Sequence, residues 1–223
     1  LLIPEVYNLG NRRVYPQTSN GFSEKRLNSL YAFANIAYKN FLYLDVTARN
    51  DWSSTLPRDN NSYFYPSFTL SGLVHEVVDL PDAISFFKLR GGVARVGSDT
   101  GPYALQDQFS WGQGENGVAT IIQSNVKANP DLKPEITSAW EIGTDVRFLK
   151  NRIGLDLTYY NSVTSNQILQ VEVSPTTGYD FILKNAGKIK SSGWEVVLNG
   201  KVIQRDKFSW NTTLNWSRDR SIV

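Results

Sequence analysis

At 223 residues, with 23 basic and 21 acidic side chains and a net charge of +2, the chain can fill one large or two small domains, and nothing in its charge calls for a nucleic-acid partner. Cysteine is absent and histidine occurs once, which removes disulfide frameworks, thiolate metal sites and thiol nucleophiles from consideration. No apolar run approaches the roughly 20 residues of a membrane helix, and the alternation is period two almost throughout, so the fold class expected is all-β.

The chain opens on Leu1-Leu2-Ile3-Pro4 without an initiator methionine or a signal pattern, and Ser217 to Val223 run straight on from a strand; it reads as an internal fragment of a longer parent. Leu1 to Arg26 is polar, punctuated by Pro4, Gly10, Pro16 and Gly21, and reads as loop with at most one short strand. Leu27 to Tyr38 is the first strand, with apolar residues on both faces and therefore an ambiguous register. Lys39-Asn40 turns the chain into a strand from Phe41 to Asn50, in which Leu42, Leu44, Val46 and Ala48 alternate with Tyr43, Asp45, Thr47 and Arg49. A polar, aromatic-rich loop from Asn50 to Phe64 follows, then a strand from about Tyr65 to Val74. His75 to Ser85 carries Pro81-Asp82 and reads as a connection with a helical turn. Phe86 to Gly97 is the next strand, and Ser98 to Thr137 a very long loop rich in Gly, Asn and Gln.

The second half alternates most cleanly. Trp140, Ile142, Thr144, Val146 and Phe148 oppose Ala139, Glu141, Gly143, Asp145 and Arg147; after a Lys150-Asn151 turn, Ile153, Leu155, Leu157 and Tyr159 oppose Gly154, Asp156, Thr158 and Tyr160. A loop around Ser174 to Lys184 leads to Ser191 to Ile203. A four-residue turn, Gln204 to Lys207, gives a last strand with Phe208, Trp210, Thr212, Leu214 and Trp216 on one face.

Short and long connections thus alternate around an up-and-down meander, as they do in outer-membrane barrels with tight periplasmic turns and extended outer loops. Phe148 and Phe208 lie beside short turns, and Trp140, Tyr159 and Trp216 towards the long loops, which is the placing of two aromatic girdles; Trp194 fits it less well. The opposite face, Glu141, Asp145, Arg147, Asp156, Asn211 and Asn215, is too polar for a packed core and suits a hydrated lumen. A stand-alone small outer-membrane barrel or adhesin, and a secreted carbohydrate-binding β-sandwich, are the alternatives that the pattern leaves.

Three segments carry a family resemblance. Leu44-Asp45-Val46-Thr47-Ala48-Arg49-Asn50-Asp51-Trp52-Ser53-Ser54-Thr55-Leu56-Pro57 followed by Tyr65-Pro66-Ser67 resembles the barrel signature of SusC/RagA-type TonB-linked outer-membrane transporters. Asn129-Pro130-Asp131-Leu132-Lys133-Pro134-Glu135 with Trp140-Glu141-Ile142-Gly143 resembles a pre-strand motif of TonB-dependent receptors, and Asn185-Ala186-Gly187 through Gly193-Trp194-Glu195 a late-barrel motif. The resemblance implies that residues 1–223 are part of a plugged barrel of about 22 strands, of which the eight main strands are a contiguous arc. It implies an outer-membrane location, a SusD-type surface lipoprotein as lid, TonB acting on an N-terminal box, and import of oligosaccharide or peptide. Plug and box are expected outside these residues.

Read physically, Arg49, Asn50, Asp51, Trp52 and Pro57 form a rim at which the strand ends, with Trp52 as its anchor. Asn129, Pro130, Lys133, Pro134 and Glu135 stiffen the approach to the next strand, with a Lys133–Glu135 ion pair expected. Flat aromatic faces for sugar rings or peptide side chains point to Trp52, Tyr63, Tyr65, Tyr103, Trp111 and Tyr179 as ligand contacts, with Phe109, Gln113 and Glu115 beside them in the longest loop. No enzymatic reading emerges: His75 has no nucleophile and acid in a triad motif, and Asp45, Glu141, Asp145 and Asp156 are lumen carboxylates. Asp99-Thr100-Gly101 and Asp59-Asn60-Asn61 lack the spacing of a calcium loop, so no metal and no cofactor is expected.

Overall fold

The computed structural model describes residues 4, 5, 7, 11, 21–113 and 118–223. Among the described residues thirteen strands run β1 Leu27–Tyr38, β2 Leu42–Ser53, β3 Ser62–Leu73, β4 Ile84–Ser98, β5 Phe109–Gln113, β6 Ala119–Gln123, β7 Val126–Lys127, β8 Glu135–Phe148, β9 Ile153–Ser165, β10 Ile168–Glu172, β11 Phe181–Asn185, β12 Lys188–Arg205 and β13 Phe208–Ile222. The eight long ones form one antiparallel sheet in the order β1-β2-β3-β4-β8-β9-β12-β13. Every neighbour is the next long strand in sequence, as a meander requires. Among the described residues β1 and β13 stand at opposite edges, so the sheet is an open arc rather than a closed small barrel. Among the described residues no second sheet of comparable size is present for a sandwich.

At one end the strands are joined by tight turns. Lys39 and Asn40 take φ of 47° and 56°, and the Phe41 amide donates to the Tyr38 carbonyl at 3.2 Å, the twist-matched type I′ geometry. Leu149, Lys150 and Asn151 are left-handed in succession. The expected Gln204–Lys207 turn contracts to Asp206-Lys207, because Arg205 pairs with Phe208 after a bulge between Lys201 and Ile203. The helical turn expected after β3 is a 3-10 turn, Val74–Glu76.

The opposite end departs further from the sequence expectation. Asn50, Asp51, Trp52 and Ser53 remain in β2, because β1 and β3 pair with it on both sides: Asn28 and Ser62 with Trp52, Ser29 and Tyr63 with Asp51. The loop therefore shrinks to residues 54–61, and Tyr63 belongs to β3 rather than to the loop, beside Tyr65. The long 98–137 segment contains β5 and β6 as a hairpin and β7, which joins β10 and β11 in a three-stranded sheet.

Pairing fixes the faces. Tyr38, Ile36 and Ala34 share a face with Leu42, Leu44 and Val46, then Gly72, Leu70 and Phe68, and so on through Val93, Trp140, Ile142, Leu157, Val196 and Trp216. This outer face leaves large apolar residues uncovered: Ile142 is 57% exposed and Leu214 61%. Trp194 pairs with Tyr159, and the rings of Trp140, Tyr159 and Trp194 follow one another at 5.5 and 4.7 Å, so Trp194 belongs to the long-loop-side girdle. Burial lies elsewhere. Among the described residues the buried apolar side chains are Leu56, Tyr63 and Leu132, all at the rim.

Candidate functional site

The rim begins with two carboxylates at the ends of strands. Asp51, on the inner face of β2, is 3% exposed and accepts Arg49 Nε at 2.7 Å and the Tyr65 hydroxyl at 2.7 Å. Arg49 also reaches Ser29 Oγ at 3.1 Å on β1, so three strands are tied at one point. Asp99, just past β4, accepts Lys25 Nζ at 2.6 Å together with the Ser53 and Thr55 hydroxyls. Burial pushes the Asp99 carboxyl up, but the Lys25 ammonium and the hydroxyls outweigh it and hold the carboxyl below the usual carboxylate range. The two ion sites thus fasten the approach to β1, the β2–β3 loop and the exit of β4 together.

Beside them lies the apolar knot. Leu56, Tyr63 and the fully buried Leu132 pack together, with Tyr65, Ala104, Leu105 and Ile168 around them. The Tyr63 ring stacks on Tyr65 at 6.0 Å and lies across Gly97, where an added Cβ would meet ring carbon Cδ2 at 2.3 Å. A glycine is needed there because the ring occupies the side-chain space.

The other two motif segments lock onto this knot. Asn129 Oδ1 accepts the Asp131 amide at 2.9 Å, forming the turn that delivers Leu132. Asn185 Oδ1 accepts the Lys133 amide at 2.8 Å, and its Nδ2 donates to the carbonyls of Lys133 at 2.7 Å and Asn166 at 2.9 Å. Glu135 Oε1 accepts the Ile168 amide at 2.7 Å; Lys133 and Glu135 form no ion pair among the described residues, since the Glu135 carboxylate is spent on that backbone donor. The three motifs, with 130 positions from Thr55 to Asn185, therefore meet in one structure.

Above the knot the loop strands add a polar lock. Asp107 accepts the Ala128 amide and the Tyr179 hydroxyl, each at 2.9 Å, and Lys127 Nζ lies 5.7 Å from the Tyr179 ring centre. The backbone donor and the phenol hold the Asp107 carboxyl below its usual range, and the carboxylate in turn raises the Tyr179 phenol.

The aromatic candidates separate by place. Trp52 points to the outer face that it shares with Leu44 and Val46, away from the lumen. Tyr63 and Tyr65 are committed to the knot and to Asp51, and Tyr179 to Asp107. Tyr103 is 48% exposed and its hydroxyl accepts the Glu24 amide at 3.2 Å; Trp111, 80% exposed, projects with Phe109 from the β5–β6 hairpin. The side chain of Gln113 and all of Glu115 lie outside the described residues.

To the charged residues expected on the inner wall the structure adds Arg90, which alternation alone did not single out. Arg90 grips Asp156 with two bonds of 2.9 and 2.6 Å, reaches Thr158 Oγ1 at 2.6 Å and lies flat over Gly143, whose added Cβ would come 2.9 Å from Arg90 Nε. Arg147 pairs with Asp145 at 3.0 Å and covers the Phe86 ring at 4.6 Å. Tyr31 and Phe33 also face inward, paired with Arg49 and Thr47, and are 70% and 72% exposed. Their strand has apolar residues on both faces, so only its pairing with β2 identifies them. Among the described residues no group of acidic and histidine side chains is arranged to hold a metal ion.

Residues 5–222 match the family model described as TonB dependent receptor-like, beta-barrel. The chain is 28% identical over 225 residues to TonB-dependent receptor P26 of Formosa agariphila, covering 97% of the chain and 22% of that relative. It is 28% identical over 201 residues to TonB-dependent receptor SusC of Bacteroides thetaiotaomicron, covering 85% and 20% respectively. The chain thus spans about a fifth of the length of these relatives. In fold it is similar to the RagAB peptide transporter, with a TM-score of 0.86 and 19% identity over 99% of this chain and 25% of that one. It is also similar to the siderophore receptor PirA of Pseudomonas aeruginosa, with a TM-score of 0.57 and 21% identity over 87% and 34%.

Proposed function

Since the chain belongs to the TonB-dependent receptor β-barrel family, we propose that it forms an arc of the outer-membrane barrel of a nutrient transporter, not an enzyme. The transporter imports oligosaccharide or peptide under a SusD-type lipoprotein lid and is driven through TonB. The observation that carries this reading is the family match over residues 5–222, nearly the whole chain. Likeness to a receptor named SusC and to a transporter named for peptides supports those two substrate classes and a lid partner. A polar inner wall with an uncovered apolar outer wall suits a solute path inside and lipid outside.

The rim knot in this reading is scaffold. Its aromatic rings are engaged with one another and with carboxylates, so solute contact falls to rings with free faces: Trp111 and Tyr103 above the rim, Tyr31 and Phe33 on the inner wall. The test is uptake by cells carrying the full-length parent. Deleting the parent should abolish growth on one oligosaccharide or peptide class, and Trp111→Ala or Phe33→Ala should slow that uptake several-fold with unchanged protein in the outer-membrane fraction. Unimpaired uptake of both solute classes after deletion, or a parent recovered in the soluble fraction, would overturn the proposal.

A further inference from the structure

Outward-facing basic residues gather at the long-loop end of β12 and β13; elsewhere on the outer face of the eight long strands stand Arg95 of β4 and Arg205 at the other end of β12. Counting by twos along β12 from Trp194, which faces outward beside Tyr159, gives Ser192, Lys190 and Lys188; along β13 from Trp216 it gives Arg218 and Arg220. The register sets Arg218 opposite Trp194 and Arg220 opposite Ser192, with Lys190 in the next outward row, opposite Ile222. All four cations are exposed, and none is in an ion pair among the described residues. The acids of these strands beyond the girdle, Glu195 and Asp219, fall on the opposite face, where Asp219 accepts the Tyr160 hydroxyl at 2.9 Å.

Height matters as much as charge. From Phe208 to Trp216 the outer row of β13 spans about 27 Å of strand at about 3.4 Å per residue. With a tilt of about 40° that is about 20 Å of height, close to the apolar band of about 25 Å in outer-membrane barrels. Arg218 and Arg220 come directly after it, on the side of the long loops. At the same level on the other wing, the outer residues of β1 and β2 are Asn28, Asn50 and Trp52, all uncharged. An unpaired, single-sign cluster just beyond an aromatic girdle meets whatever anion sits at headgroup depth.

We propose that Lys188, Lys190, Arg218 and Arg220 form a membrane-side site for phosphate-bearing lipid headgroups of the outer leaflet. The site rests on the outer-membrane reading above and adds a ligand on the wall that the solute never touches. Two strands contribute two cations each, so a lipid carrying two phosphates bridges β12 and β13 and braces the wall at the girdle.

The probe is bis-phosphorylated lipid A, compared with the same lipid stripped of its phosphates, added to the full-length parent purified from the outer membrane in neutral detergent. Native mass spectrometry reads retention. The wild type should retain the phosphorylated lipid and lose it as salt rises, while the stripped lipid should not be held. Joint substitution of Lys188, Lys190, Arg218 and Arg220 by Gln should weaken retention about tenfold or more, and Lys188→Arg with Lys190→Arg should preserve it. Arg205→Gln, outward at the opposite end of β12, should change nothing. Equal retention of both lipids by the wild type would overturn the site whether or not the Gln variant folds, as would full retention by that variant. A parent absent from the outer-membrane fraction would instead sink the underlying membrane reading.

Discussion

The rim and the wall use the same alternation to opposite ends. In the wall, apolar residues such as Ile142 and Leu214 stand uncovered on one face and charged pairs such as Arg90–Asp156 line the other, with no core between them. At the rim the same strands bury both kinds of side chain: Leu56, Tyr63 and Leu132 form the apolar knot, and Asp51 and Ser53 are almost wholly enclosed beside it. A wall of this kind is stable only between lipid and a filled lumen, whereas the rim holds itself together. The motifs that mark the family are therefore mostly rim packing, and the exposed rings proposed to meet a solute, Trp111 and Phe33 among them, lie outside them.

That contrast can be broken most severely at the knot. Leu132→Ala in the full-length parent should cost about 2–5 kcal/mol, the range for deleting a buried leucine side chain, read as faster proteolysis of the outer loops and a lower denaturant midpoint. The wall should be nearly as sensitive to charge but on one face only. Leu157→Arg should reduce membrane insertion by about 2–4 kcal/mol near midplane, while Asn211→Arg, lining the lumen, inserts normally; equal damage from both would reverse the assignment. Asn185→Ala removes three hydrogen bonds of the motif junction and should cost about 1–2 kcal/mol, visible as faster amide exchange at Lys133 with the wall unchanged.

The smallest effect is a pH window at the loop lock. Asp107 is held below its usual range when folded, so its contribution is complete above the ordinary carboxylate value and disappears as pH falls through the lower folded one. Tyr179 is raised, so its contribution is complete below the ordinary phenol value and disappears as pH climbs through the higher folded one. Exchange of the Ala128 amide should stay slow between those limits and quicken on the acid side; Asp107→Asn should remove the acid-side change.

The eight long strands were legible because each alternates locally, and the tight turns because Lys39-Asn40 and Lys150-Asn151 are polar pairs between alternating runs. Partners were not legible. Asn50 to Ser53 read as a strand end from their side chains, yet ladders on both sides keep them extended. Tyr63 reads as a loop aromatic for the same reason. β7 pairs with β11 across more than 50 residues, a contact no local period reveals. Trp194 looked misplaced until register set it beside Tyr159, and Arg90 was overlooked because its partner Asp156 lies two strands away. The motif residues were recognised as a group, but their convergence on Leu132 needed the fold.

In the proposed barrel one face of this arc meets lipid and the other a hydrated lumen. The chain has no cysteine, so single cysteines placed in turn at residues 154–159 of the full-length parent, freed of any thiol elsewhere, can be challenged with a membrane-impermeant thiol reagent in intact outer membranes. Strict alternation is expected, with positions 154, 156 and 158 labelled and 155, 157 and 159 protected. Uniform labelling, or alternation in the opposite phase, would contradict it.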